Sequence, residues 1–268
     1  MNNYEKQSQD LKEYGFTIFQ DVISEELCET LKKDIDTWFD KVATEKELVE
    51  DKRFKNFVVP DAVSNAHFSN LWKIFEAKHL LEFLKYHCKG EVMYLDHFDA
   101  HRNLSSGWHE DTNQKHFKSD NNHQGISLFD ENYHVYRVCF YLQDHNEDFC
   151  GLSVKPGTHK YPKNYHGQFN NEVKIGNRKC DMIIFDCRLR HRGIVYKDSS
   201  MSSENKNRHS IFLCLGASKN IFSETHRMGA VQRQNKQLKR DSYVINQQLK
   251  QSLLKLGYKV FEDDSVFY

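Results

Sequence analysis

Gly107-Trp108-His109-Glu110-Asp111 sets an imidazole and a carboxylate two positions apart. In extended backbone, residues i and i+2 point to the same side, so His109 and Asp111 can offer two donors to one metal ion. His191, which follows the strand-like run Met182 to Phe185, would complete a set of two histidines and one carboxylate, the arrangement that suits Fe(II) oxygenases. The H-x-D pattern is short. In a chain with 15 His it also occurs at His97-Phe98-Asp99, so context must choose between the two. As alternating members of a strand, His97 and Asp99 read as polar-face or supporting residues. His109 and Asp111, beside Trp108 and ahead of the motifs that follow, read as ligands, with Trp108 stiffening their loop.

The elements that must position these residues change character along the chain. Gly15 separates a short helix end from an extended Phe16 to Phe19. Ser24 can cap a helix carrying Leu27, Leu31, Ile35, Trp38 and Phe39 on one face, with Glu25 and Glu26 in its first turn. A second helical spacing runs over 70–87, with Gly90 as its left-handed stop. From Glu91 the pattern becomes a series of short β-like runs at 92–98, 135–142, 151–154, 182–185 and 211–215, separated by Gly and Asn/Asp clusters. This spacing fits a sandwich or jelly roll better than repeated βαβ units. The stretches 120–122 and 199–206 read as long polar loops. A helical pattern returns over 231–256 (Leu238, Ile245, Leu249, Leu253, Leu256), with Gly257 as its stop; its stripe packs back on the domain or, alternatively, on a second subunit.

The sequence thus predicts one mainly β domain over 1–268 with flanking helices: a mostly helical 1–90, a sandwich or jelly-roll core over 91–216, and a C-terminal helical extension over 217–268. Three Pro, twelve Gly and no Ser/Pro-rich linker fit a single unit, and 19 Phe and 13 Tyr supply apolar area for its core. Formal net charge is zero, which removes the basic footprint of a general nucleic-acid binder and leaves a small molecule as the expected partner. Seven Cys without a C-x-x-C pair indicate neither a disulfide framework nor a cysteine zinc site. With a polar N-terminus and no apolar run of membrane-spanning length, a cytoplasmic protein is expected.

Along 136–144, Arg137, Cys139 and Tyr141 share one strand face and are candidate pocket residues, while Tyr136, Val138, Phe140 and Leu142 face a core. Arg188, Arg190 and Arg192 alternate opposite Leu189 and His191. They read as a solvated edge, or else as receptors for an acidic or phosphate-bearing substrate. His116, His123, His134, His145 and His159 read as surface or supporting groups, with His159 closing the turn Pro156-Gly157-Thr158-His159.

Taken together, Tyr14-Gly15-Phe16, Ile23-Ser24-Glu25-Glu26-Leu27, Trp108-His109-Glu110-Asp111, the run from Tyr136 to Asp144, Gly151-Leu152-Ser153-Val154-Lys155-Pro156-Gly157-Thr158-His159, and Asp181 to Phe185 leading to His191 resemble the phytanoyl-CoA dioxygenase family of Fe(II)/2-oxoglutarate oxygenases. The resemblance spans roughly 11–216. It implies a double-stranded β-helix of cupin-like type with helices packed on one sheet, and iron held by His109, Asp111 and His191. It also implies an arginine for the far carboxylate of 2-oxoglutarate. Arg208 is the matching position, with Ser210 on the same strand face, and a guanidinium suits the task because its planar fork meets a carboxylate with two parallel hydrogen bonds. The sequence departs from the pattern at Cys150, where many members have a second Gly, and in a longer segment at 197–207, which leaves Arg137 or Arg192 as alternative anchors.

Three protein ligands on Fe(II) leave positions for a 2-oxo acid and O2. Because Asp111 stands where halogenating relatives have a small residue, hydroxylation is the implied outcome. Two other classes fit the same residues: a cupin-type enzyme holding Zn or Mn without 2-oxoglutarate, and a non-catalytic jelly-roll binding module. Metal analysis with a 2-oxoglutarate titration separates the first, and oxygen-dependent turnover of 2-oxoglutarate excludes the second.

Overall fold

The computed structural model describes residues 4–42, 57–112, 127–145, 151–193 and 208–261. Nine strands follow in chain order among them: β1 (Phe16–Phe19), β2 (Val58–Pro60), β3 (Val92–Arg102), β4 (Val135–Tyr141), β5 (Leu152–Val154), β6 (Val173–Ile175), β7 (Met182–Asp186), β8 (His191–Gly193) and β9 (His209–Ala217). Every pairing between them is antiparallel. They form a six-stranded sheet in the order β1-β7-β4-β9-β3-β2 and a three-stranded sheet in the order β6-β5-β8.

Strand alternation decides what lies on each side of the large sheet. Tyr136, Val138 and Phe140 of β4, Met182 and Ile184 of β7, and Ile211, Leu213 and Leu215 of β9 join the main core, which helices cover. Cys139, Tyr141, Ile183, Phe185 and Phe212 point the other way and pack with Leu152, Val154 and Ile175 of the small sheet. The space between the sheets is therefore a filled jelly-roll interior, open at the end where His109 and His191 pair. These are the two faces of 135–142 expected from its alternation.

Helices α1 (Glu5–Tyr14), α2 (Glu25–Thr37) and α3 (Leu80–Cys88) lie N-terminal to the barrel, and α4 (Ile221–Leu238) and α5 (Gln247–Leu256) follow it. Gly15 ends α1 at φ 85°, a left-handed cap that frees the next residue to begin β1. Ser24 Oγ accepts the Leu27 N–H at the start of α2, whose buried face is Cys28, Leu31 and Ile35. Losing that cap by Ser24→Ala is expected to cost about 1 kcal/mol, measurable as a lower urea midpoint with an unchanged slope.

Several boundaries differ from the sequence reading. The stretch 70–87 is divided into a 3-10 turn (Leu71–Glu76) and α3, because His79 takes a left-handed conformation between them. Lys89, not Gly90, is the left-handed stop of α3; Gly90 donates its N–H back to the Lys85 carbonyl. The C-terminal region is two helices, not one over 231–256, and Tyr243 and Ile245 are buried in the connection. Leu249 and Leu253 of α5 join the main core, so this stripe packs back on the domain. The polar stretches at 120–122 and 199–206, the segment 197–207, Cys150, His116 and His123 lie outside the described residues.

One irregularity matters for the site. The β3/β9 register slips between Tyr94 and Phe98, a bulge in which Asp96 adopts φ 50°. Asp96 is 2% exposed and accepts hydrogen bonds from Arg227 of α4 and from the Tyr243 hydroxyl, which fastens the C-terminal helices to the bulge. Beyond the bulge, Phe98 and Ala100 face the main core, so the alternating His97, Asp99 and His101 face the interior. No helix among the described residues is long and apolar enough to cross a membrane.

Candidate metal and co-substrate site

The loop after β3 returns along β8 as an extra edge. Ser106 and His109 donate their N–H groups to the carbonyls of Gly193 and His191, and His191 donates back to His109, each at 2.9 Å. Thr112 N–H bonds the Cys187 carbonyl at 3.0 Å. This pairing places His109, Asp111 and His191 around one point: Asp111 Oδ1 lies 3.7 Å from His109 Nε2 and 3.8 Å from His191 Nε2. The donor atoms of all three lie within 4.8 Å of one another.

Backbone carbonyls fix the protons of both imidazoles. His109 Nδ1 is 2.8 Å from the Gly107 carbonyl and His191 Nδ1 is 2.9 Å from that of Leu189. A carbonyl only accepts, so each Nδ1 carries hydrogen and each Nε2 presents a lone pair, as metal-ligating histidines do. Burial pushes the His191 imidazole down to about 4 despite Asp111 nearby, so it is neutral at neutral pH. Burial works against the charge of Asp111 as well. Arg137, then His191 and His109, more than offset it and hold the carboxyl well below the usual carboxylate range.

Arg137 from β4 donates Nε–H to Asp111 Oδ2 at 3.0 Å, leaving Oδ1 turned to the histidines. Its Nη1 lies 2.9 and 3.1 Å from the two ring nitrogens of His97 and donates to Cys214 Sγ at 3.3 Å. His97, Cys214 and His226 form a second group of potential donor atoms within 4.8 Å. Two guanidinium groups, Arg137 and Arg233, pack on His97, however, so this cluster supports a cation belonging to the protein. The expected consequence is that Arg137→Lys, which keeps the charge but loses the Nε–H geometry, weakens iron binding on the order of 10–100-fold. An anaerobic Fe(II) titration checks this.

A cavity of about 580 Å³ opens beside the three donors. Trp108, Tyr141, Arg137 and Arg208 line it, together with Asp99, His101, Phe212 and Arg233. Arg208 immediately precedes β9. It donates Nη1–H to the Gly151 carbonyl at 2.7 Å, lies over the Tyr141 ring at 5.5 Å, and has a buried Nε with no partner among the described residues. Ser210, on the same strand face, is fully buried with an unpartnered Oγ. Two orphaned polar groups of this kind are costly unless something binds them; Arg208 lines the cavity, and Ser210, two residues along on the same strand face, is not among its lining residues. Trp108 stands at the rim under Arg192 and Lys155. Cys139 is fully buried in the interior cluster and is not among the cavity-lining residues.

The alternating arginines are each matched within the protein. Arg188 grips Asp186 through two hydrogen bonds from its side chain, Arg190 bonds Glu110 at 2.7 Å, and Arg192 bonds Glu172 at 2.7 Å. His159 is tied to the Lys12 carbonyl, in keeping with a structural role. The sequence reading missed Arg233, Phe212 and His101, and gave Asp99 a supporting part only. Period-2 alternation from Asp99 through His101 was the one available signal, and it could not say which face pointed inward.

A family model described as Phytanoyl-CoA dioxygenase (PhyH) matches residues 11–194. Among solved structures the chain is similar to AviO1 from Streptomyces viridochromogenes Tue57, at 14% identity and a TM-score of 0.61 over 82% of this chain and 97% of that one. It is also similar to SnoK from nogalamycin biosynthesis, described as a non-heme alpha ketoglutarate dependent carbocyclase (13%, 0.60, over 81% and 85%). A third similar structure is EctD from S. alaskensis with 2-oxoglutarate and 5-hydroxyectoine (15%, 0.58, over 82% and 79%). At these identities the structural likeness is one of fold. No curated protein sequence matches the chain. The family match, over a jelly roll that gathers two histidines and an aspartate at its open end, shows that this chain belongs to the phytanoyl-CoA dioxygenase family and is an Fe(II)/2-oxoglutarate-dependent dioxygenase.

Proposed function

We propose that His109, Asp111 and His191 hold the iron, that Arg208 with Ser210 takes the far carboxylate of 2-oxoglutarate, and that the enzyme hydroxylates a small organic molecule seated in the adjoining cavity. The observation that carries this reading is the convergence of three donors, with both imidazole protons fixed away from the centre, beside a guanidinium and a hydroxyl that have hydrogen-bonding capacity to spare. Bound there, iron with 2-oxoglutarate and O2 supplies the oxidant for C–H attack while the 2-oxo acid becomes succinate and CO2.

The chain's own residues do the rest. Arg137 holds Asp111 ionised and aims its Oδ1, so the carboxylate needs no rearrangement to bind a cation. Arg208 and Ser210 bind and orient a dianion by its remote end, which sets the direction in which the 2-oxo group must lie. Trp108 and Glu110 line the cavity, and each is held from outside it, Glu110 by its ion pair with Arg190 and Trp108 by the Arg192 guanidinium over its ring.

The same fold carries other outcomes: SnoN is described as a non-heme alpha ketoglutarate dependent epimerase and SnoK as a carbocyclase. The test is a screen of small metabolites with iron and 2-oxoglutarate, reading succinate and product mass together. Hydroxylation adds one oxygen to the product, ring closure removes two hydrogens, and epimerisation leaves the mass unchanged. Substrate-dependent succinate without added oxygen in the product would overturn hydroxylation and leave the co-substrate chemistry standing.

A further inference from the structure

The cavity wall opposite the small sheet carries a carboxylate that the iron and co-substrate do not use. Asp99 is 6% exposed and lines the same cavity as Asp111, His191 and Arg208. Its Oδ2 is 3.0 Å from His97 Nε2 and 3.9 Å from Arg233 Nη2, whereas its Oδ1 is buried with no partner among the described residues. Burial works against its charge, but His97, Arg233 and Arg137 offset it, so the carboxylate is ionised. A buried ionised oxygen with no donor among the described residues costs stability unless a ligand supplies one, and Asp99 is one of the residues that line the cavity.

The charges around Asp99 select the kind of donor. Arg233 of α4 and Arg137 of β4 both act on it; Arg137 is already paired with Asp111, which leaves Arg233 as the cation on the Asp99 side of the cavity. An ammonium brought to Oδ1 would be repelled by it, whereas a hydroxyl or an amide N–H would not. The Arg233 side chain lines the cavity and is 45% exposed overall, and among the described residues its polar neighbours are only Asp99 and His97. It therefore retains N–H donors for an anion. Trp108, Leu104 and Phe212 offer apolar surface in the same cavity for a carbon skeleton.

Resting on the function proposed above, we infer that the substrate is a small organic anion with a hydroxyl or amide N–H a few bonds from its anionic group. Asp99 Oδ1 accepts from the donor and Arg233 pairs with the anion. The two side chains stand 3.9 Å apart at their nearest, between Asp99 Oδ2 and Arg233 Nη2, so a single small molecule can meet both.

The experiment uses the full chain loaded with Fe(II) and 2-oxoglutarate. It measures succinate above the substrate-free rate for matched sets of 2- and 3-hydroxy acids and N-acyl amino acids, their methyl esters, their O-methyl or deoxy analogues, and the corresponding amino alcohols. The hydroxy or N-acyl acids are expected to stimulate turnover, with the ester and the donor-free analogue of each active acid weaker on the order of 10–100-fold. In Arg233→Glu the preference is expected to move from acids to amino alcohols, a gain that misfolding cannot produce. The inference is overturned if no acid stimulates, if esters or amines match the acids in the natural protein, or if Arg233→Glu leaves the ranking unchanged. Failure of the underlying reading is recognised separately, because then 2-oxoglutarate gives no visible charge-transfer band with Fe(II) under anaerobic conditions, whatever candidate is added.

Discussion

Asp111→Ala is expected to abolish iron-dependent succinate formation and to destabilise the apoprotein at the same time, whereas His109→Ala abolishes only the first. Each variant removes one of three donors, and the loss of iron affinity should exceed the roughly 10–100-fold seen when outer-shell partners of ligands are removed. The variants differ in what they leave behind. The His109 side chain is 41% exposed and, among the described residues, its Nδ1 bonds only the Gly107 carbonyl two residues back, so Ala there strands no buried charge. Asp111 is the carboxylate that receives Arg137 Nε, and the Arg137 side chain is only 9% exposed. Breaking a buried pair from one side costs about 3–5 kcal/mol, and because His97 and Cys214 still contact Arg137 the lower end of that range is expected. Urea denaturation of the metal-free proteins, with an Fe(II) titration of each, provides the measurement. Equal stability of the two variants would mean that Arg137 does not depend on Asp111, and unchanged succinate formation in His109→Ala would remove the proposed ligand set.

The contrast between Asp111 and Asp99 shows how far the sequence could be read. His109, Asp111 and His191 followed from an i, i+2 pair and a distant histidine after a strand, and the sharing of one face by Arg208 and Ser210 followed from simple alternation. The shared faces are local rules; the choice of His191 rested on its place after a strand and on the family resemblance, and the bridge from His109 to His191 is a long-range pairing. The inward turn of His97 and Asp99 depends on a bulge at Asp96 stabilised by Arg227 and Tyr243, residues more than a hundred positions away. Periodicity carries no trace of such a partner.

Helix α4 was read ten residues short at its start for a related reason. The positions it buries include Ser223, Thr225, Arg227, Gln234 and Asn235, so the face it turns inward is largely polar and gives no apolar stripe to detect. Its start does have a sequence mark in Asn220, whose side chain accepts from Phe222 and Ser223. That cap was visible, but without a hydrophobic period behind it a single Asn is indistinguishable from a loop residue. Arg233, which reaches the cavity from this helix, was hidden with it.

Replacing Arg208 by Met is expected to weaken 2-oxoglutarate binding by roughly 30- to 5,000-fold, because truncating one partner of a buried, hydrogen-bonded charge pair costs about 2–5 kcal/mol. Iron affinity should stay within a few fold, because Arg208 bonds Gly151 and stacks on Tyr141 and touches none of the three donors. Arg208→Lys should recover part of the loss, since an ammonium keeps the charge but not the planar fork. Ser210→Ala should cost about 10-fold, the lower range for a hydrogen bond to a charged group. Its Oγ has no other partner to lose, so its effect should appear in co-substrate binding and not in the stability of the apoprotein. Arg137 is the competing anchor, and the same titration separates the two. Arg137→Lys acts on Asp111 first and should lower iron affinity, with 2-oxoglutarate binding recovering once iron is saturating. Should Arg208→Met bind 2-oxoglutarate normally while Arg137→Lys fails to bind it at saturating iron, the dianion would be anchored from β4, and the orphaned Nε of Arg208 would need a different ligand.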